Sequence, residues 1–170
     1  MRLVHELHTV RYGGYQASPP PFDMLRKLGY TTAQLVHAWS KIQVGRDLST
    51  IVDNEYACAE SVSRVLNAVD PSILGGRVIT GTATLDEVLA ASPRVKFVTI
   101  PTAGCIVISP TGQGNGAILN GHVGIVGDKG LIYSNSSATG AWSQNFTLSS
   151  WWNRYVKNGG YPMKYYKIIN

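Results

Sequence analysis

The chain has 170 residues, 44% of them hydrophobic and 15% charged, with a net charge of +5 at pH 7. That length suits one domain with its own core, the composition excludes a disordered tail, and no apolar stretch approaches the roughly 20 residues of a membrane span. The basic residues are scattered with no Lys/Arg run, which argues against nucleic acid as a partner and suits some other anionic polymer. Cys58 and Cys105 are too few for a disulfide framework and read as free thiols. Residues 1–8 carry acidic and histidine side chains where a signal peptide has its apolar run, so the expectation is a chain made in the cytoplasm without a signal peptide.

Residues 1–20 read as irregular, ending in Ser18-Pro19-Pro20-Pro21, where regular helix and central strand are excluded. A short helix over 22–28 is closed by Gly29. A second follows, capped by Thr31 or Thr32, with Leu35, Trp39 and Ile42 on one face. His37 lies in it as a half-exposed helical residue. His5 and His8 form an H-x-x-H pair with no neighbouring ligand to complete a zinc site. A third helix runs from Cys58 to about Ala68, with Cys58, Val62, Val65, Leu66 and Val69 as its apolar stripe. A fourth is expected over 84–91, with Thr84 and Glu87 as a capping box.

From Val95 the period switches to β, with strands expected at 95–100, 105–109, 122–126, 131–136 and 163–169. Between the last two lie a Ser/Thr-rich loop and a short helix over 149–156. Helices first and then an antiparallel meander is the α+β layout. No linker or repeat divides the chain, so one domain spans 1–170, with 1–50 as a Pro-containing elaboration on a core of 51–170.

Cys58 at a helix start and His122 at the start of an apolar strand are the pair that could carry chemistry. A thiol near a helix N-terminus with a distant imidazole is a nucleophile–base arrangement. The hairpin around Gly127-Asp128-Lys129-Gly130 places a third residue. With Asp128-Lys129 as a two-residue loop, Val126 faces Leu131, Gly124 faces Tyr133 and His122 faces Asn135. Asn135 would then accept from the imidazole and set its tautomer. A three-residue loop would break this register. For Cys58 the blander role is a small apolar residue on a buried stripe, and for His122 a strand-end residue satisfied by a carbonyl.

Three segments give the chain a family likeness: Tyr56-Ala57-Cys58 with Val62 and Leu66 behind it; Pro101-Thr102-Ala103-Gly104-Cys105-Ile106-Val107-Ile108; and Gly121-His122-Val123-Gly124-Ile125-Val126. With Asn135 after Tyr133-Ser134, they resemble the CHAP and NlpC-type cell-wall hydrolases, the bacterial and phage branch of the papain-like fold. Cys105 stands where that family usually has aspartate, Tyr133 where the CHAP branch has an acidic residue, and Ala57 where a glutamine or aspartate often precedes the cysteine. The resemblance implies helices packed on an antiparallel sheet and amide hydrolysis in bacterial peptidoglycan by an endopeptidase or N-acetylmuramoyl-L-alanine amidase, as in a phage lysin. Cys58 would be the nucleophile, its pKa lowered by His122 and the helix N-terminus; His122 would be the general acid–base and Asn135 the orienting residue. Tyr56, Tyr133 and Trp142 are the candidates for oxyanion or substrate contacts. One of Trp151 and Trp152 is expected to anchor the last helix to the sheet. No cofactor or metal is needed, and the implied partner is peptidoglycan, met by a monomer without membrane insertion. Alternatives are an injected interbacterial amidase effector, a non-catalytic wall-binding or structural protein, and a protease or deamidase acting on proteins.

Overall fold

The computed structural model describes residues 21–170; the His5/His8 pair lies outside them. Helices α1 (Phe22–Lys27), α2 (Thr32–Ile42), α3 (Cys58–Val69) and α4 (Thr82–Ala91) precede the sheet. Strands β1 (Val95–Val98), β2 (Ile106–Ser109), β3 (His122–Val126), β4 (Leu131–Asn135) and β5 (Trp142–Thr147) follow. Helix α5 (Leu148–Trp151) runs on into a π-helical segment, Trp152–Asn158, before the last strand, β6 (Lys164–Ile168). All pairings are antiparallel in the order β1-β6-β2-β3-β4-β5, so the last strand inserts between the first two. The architecture is α+β.

Local chemistry accounts for most boundaries. Gly29, at φ +95°, ends α1 in the left-handed conformation that glycine adopts without a Cβ penalty. Thr31 and Gln34 form a reciprocal capping box on α2. Helix α4 starts two residues before the expected cap, at Thr82 after Gly81. The Thr82 hydroxyl instead accepts from the Thr111 N–H at 2.9 Å and tethers the Gly-rich segment 110–121.

Both faces of the sheet are covered. Ile106, Ile108, Val123 and Ile125 join Leu35, Val36, Val62, Leu66 and Leu85 in a cluster on the helical side. Val107, Val126 and Ile132 join Trp151, Tyr155 and Tyr161 on the other. Burial on both sides explains why β2 and β3 are apolar at nearly every position instead of alternating.

Two sequence expectations change here. The Ser/Thr-rich loop contains an edge strand, β5, whose polar residues face solvent while Trp142 turns inward. The hairpin loop holds three residues rather than two. Lys129 (φ 55°) and Gly130 (φ 72°) both take the left-handed conformation, and the Gly127 N–H donates to the Leu131 carbonyl at 2.6 Å. Val126 therefore pairs with Ile132 and Ile125 with Tyr133, one residue off the expected register. Side chains alternate along a strand, so this slip exchanges the two faces of β4.

Candidate active site

Cys58, His122, Asn135 and Tyr56 line one cleft of about 710 Å³, with Gly81, Thr111, Leu119, Asn145, Phe146, Arg154 and Tyr155 among its other walls. The Cys58 side of the cleft is built by α3. Ala57 precedes the helix and offers no side-chain cap. The first N–H groups of the helix are therefore left for another acceptor. The N–H groups of Ala59 and Cys58 itself point at the sulfur, as does that of Val123 from β3. The β3–β4 pairing stops at Ile125/Tyr133. Its loss beyond that pair frees the Val123 N–H for the thiol, beside the residue that carries the imidazole.

Glu60, in the first turn of α3, is fully buried and holds the chain that leads into Cys58. Its carboxylate accepts from the N–H groups of Thr50 (2.7 Å), Ile51 (3.1 Å) and Val52 (3.1 Å), and from Arg64 Nε at 2.9 Å. Burial works to raise its pKa, but these donors outweigh it and hold the carboxyl below its usual range.

His122 is 8% exposed, and its ring packs among Phe146, Trp151 and Tyr155. Tyr155 stacks on it with centroids 5.6 Å apart and planes 15° apart, and Trp151 lies at 5.1 Å. Its Nε2 is 2.9 Å from Ser134 Oγ, and the Ser134 hydroxyl donates to Asn145 Oδ1 at 2.6 Å. With its proton given to Asn145, Ser134 can only accept, so Nε2 carries the imidazole hydrogen and Nδ1 keeps the free lone pair. Asn145 reaches this position because the β4–β5 register shifts between Ile132↔Phe146 and Tyr133↔Gln144, leaving Asn145 as the unpaired residue of a bulge. Bulges commonly re-aim a side chain in this way.

The orienting residue of His122 is thus Ser134, backed by Asn145, and not Asn135. Asn135 lies on the helical face after the register slip. Its Nδ2 donates to the Asn54 carbonyl and its Oδ1 accepts from Ser61 Oγ at 3.5 Å. It ties the end of β4 to the turn before Cys58. No sequence signal marked Asn145, because a bulge in a polar edge strand leaves no periodicity.

The other expectations divide. Both Tyr56, 61% exposed, and Cys58, half-buried, line the cleft. Tyr133 is buried in the helix-side core. Trp142 is fully buried and donates from Nε1 to the Ser40 carbonyl at 2.9 Å. Neither Tyr133 nor Trp142 lines the cleft that holds Cys58 and His122. Trp151 is buried with its Nε1 donating to Ser109 Oγ at 3.0 Å, while Trp152 is 48% exposed. Cys105 is buried in the β2-side cluster, away from α3.

The electrostatics also depart from expectation. Burial pushes the Cys58 thiol up to about 11, against the smaller opposing pull of the N–H groups around it. Burial, and after it the Arg154 cation, pushes His122 down to about 3. At neutral pH the pair is therefore a neutral thiol and a neutral imidazole, not a standing thiolate–imidazolium. Among the described residues the two rings of partners stay separate, since no hydrogen bond joins the Cys58 sulfur to His122. A nucleophile here must be made during the reaction, by transfer of the thiol proton to Nδ1 as the sulfur attacks.

Among the described residues no group of three or more His, Cys, Asp or Glu could hold a metal ion, and no helix is long and apolar enough to cross a membrane. Compared with known proteins, the chain matches no family model, no curated protein sequence and no solved structure.

Proposed function

We propose that this chain is a papain-like cysteine hydrolase that cleaves an amide bond in peptidoglycan, acting as a monomer. The observation that carries the proposal is the convergence of three features in one cleft. A thiol stands at an uncapped helix N-terminus, an N–H from the His122 strand points at its sulfur, and the imidazole is locked with Nδ1 free. Cys58 attacks the amide carbonyl while His122 Nδ1 takes the thiol proton. The Cys58 N–H steadies the developing oxyanion, with Tyr56 in the cleft lining as the available side-chain donor. His122 then returns the proton to the leaving amine, and water, activated by the same nitrogen, hydrolyses the thioester. The chain's net positive charge favours an anionic polymer such as a bacterial wall.

Isolated sacculi incubated with wild type and with Cys58→Ala test this. New termini released by wild type alone, identified by mass spectrometry, establish the hydrolase and distinguish amidase from endopeptidase. No release across several wall chemistries rejects it.

A second reading is favoured by one observation, the neutral thiol without a hydrogen bond to the imidazole. In that reading the cleft binds wall fragments without cutting them. Sacculi that retain both wild type and Cys58→Ala, with no new termini, would support it.

A further inference from the structure

The cleft carries a feature that the Cys58–His122 chemistry does not use. Two of its lining residues are charged, Glu55 and Arg154. Arg154 belongs to the π-helical segment, and its guanidinium carbon lies 5.6 Å from the centre of the Tyr155 ring. That ring is the one stacked on His122. Arg26, Arg64 and Arg94 each pair with a carboxylate. Arg46 and Arg77 instead bond to Gln43 and the Leu74 carbonyl. Among the described residues Arg154 makes no ion pair; it lines the cleft with the Tyr155 side chain as its partner.

A cation in this place conflicts with the reaction. His122 must become an imidazolium for an instant, and the Arg154 charge opposes it, second only to burial among the causes of the weak basicity of that ring. An anion bound to Arg154 removes the conflict and strengthens the base at the moment of binding. A guanidinium is suited to a carboxylate, whose two oxygens match its planar fork of donors. The neighbouring walls supply no second cation; Phe146, Tyr155, Leu119 and Tyr56 are apolar or aromatic surfaces.

We propose that Arg154 is the subsite for a free carboxylate on the substrate, so that the cleft takes amides of acidic peptides whose carboxylate lies within a side chain's reach of the scissile bond. The proposal rests on the hydrolase reading of the preceding section. Substrate binding and activation of His122 are then one event, and an uncharged amide of the same size is a poor substrate.

Iodoacetate and iodoacetamide test this without knowledge of the substrate. Both form an S–C bond to the Cys58 thiolate and expel iodide, and they differ in one having a carboxylate and the other a carboxamide. Their rates at Cys58 are followed by peptide mass spectrometry at about pH 9, where some thiolate forms and the guanidinium stays charged. In Arg154→Gln the ratio of the iodoacetate rate to the iodoacetamide rate should fall about tenfold, the worth of one charge-assisted carboxylate contact. Arg154→Lys, which keeps the charge and loses the fork, should give a ratio between those of wild type and Arg154→Gln. If Cys58 is alkylated but the ratio is the same in wild type and Arg154→Gln, the carboxylate subsite is overturned and the hydrolase reading stands. If neither reagent modifies Cys58 in the folded protein while both do so in urea, the hydrolase reading falls and the subsite with it.

Discussion

His122 Nε2 lies 2.9 Å from Ser134 Oγ, and the proton that Ser134 gives to Asn145 decides which imidazole nitrogen carries the hydrogen. Ser134→Ala removes the acceptor and lets the ring sample both tautomers. Turnover should fall on the order of tenfold to a hundredfold, the usual cost of losing an orienting partner. Asn145→Ala should act in the same direction and more weakly, because Ser134 remains. Nitrogen-15 NMR of the His122 ring provides a readout independent of activity. Wild type should show the Nε2–H form alone, Ser134→Ala a mixture; a single tautomer unchanged in the variant would refute the relay.

The same contact shows what could be read before the fold was known. Helices α2 and α3 and strands β2 and β3 announce themselves by long apolar runs and by the Thr31/Gln34 cap. The partner of His122 turns on one backbone detail, the left-handed Lys129. Lysine rarely adopts that conformation, and Asp128-Lys129 reads as an ordinary two-residue loop, so the expected register is one residue short. Since one residue exchanges the faces of a strand, the expected register sets Asn135 where Ser134 stands. Strand β5 was hidden for a different reason. It is an edge strand with solvent on one side, so Ser143, Gln144 and Asn145 carry none of the apolar alternation by which strands are recognised. The pKa values were beyond reach because they depend on tertiary burial, which here outweighs the helix N-terminus.

Asn135→Ala separates the two assignments directly. Its side chain anchors the Asn54 carbonyl and Ser61, both on the approach to Cys58. Removing it leaves buried polar groups unpaired, at a cost of about 1–3 kcal/mol in urea unfolding. The His122 tautomer should stay as in wild type. A change of tautomer in Asn135→Ala would restore Asn135 as the orienting residue.

Acid should weaken the fold through His122. Its pKa is about 3 in the folded chain against 6.5 when exposed. Between those values the unfolded chain binds the extra proton, so stability drops as pH falls from about 6.5 toward 3, by about 1.4 kcal/mol per pH unit. Above that window this histidine contributes no pH dependence. Urea midpoints at several pH values should show the slope in wild type and a flatter one in His122→Phe, which keeps a ring for Tyr155 and Trp151 to pack on. Equal slopes in both would mean that the imidazole is solvated and titrates normally.

Glu60 makes a separate acid-sensitive anchor. Its folded pKa is lowered, so the stability it supplies is present above the ordinary carboxyl range and is lost as pH falls through the folded value. Glu60→Gln should cost about 2–4 kcal/mol at pH 7, since it strips the charge that pairs with Arg64 and serves three backbone donors. Hydrogen exchange should quicken at Thr50, Ile51 and Val52 more than in β2 or β3. Uniform quickening across the chain would reduce Glu60 to a general stabilising residue without a particular hold on the Cys58 approach.

Cys58 itself reports whether the site rests neutral. With the thiol pushed up to about 11, iodoacetamide alkylation should still be rising at about pH 10 and show no plateau below the ordinary thiol range near 8.5. Cys105, deeper and without N–H groups of a helix start around it, should react only on unfolding. A plateau in Cys58 reactivity between about pH 5 and 8 would instead mean a standing thiolate paired with His122. That outcome would also predict that His122→Ala slows alkylation at pH 7. If the resting pair is neutral, the same variant should leave alkylation at pH 7 slow, as in wild type, and abolish amide cleavage, because the base is needed only during attack.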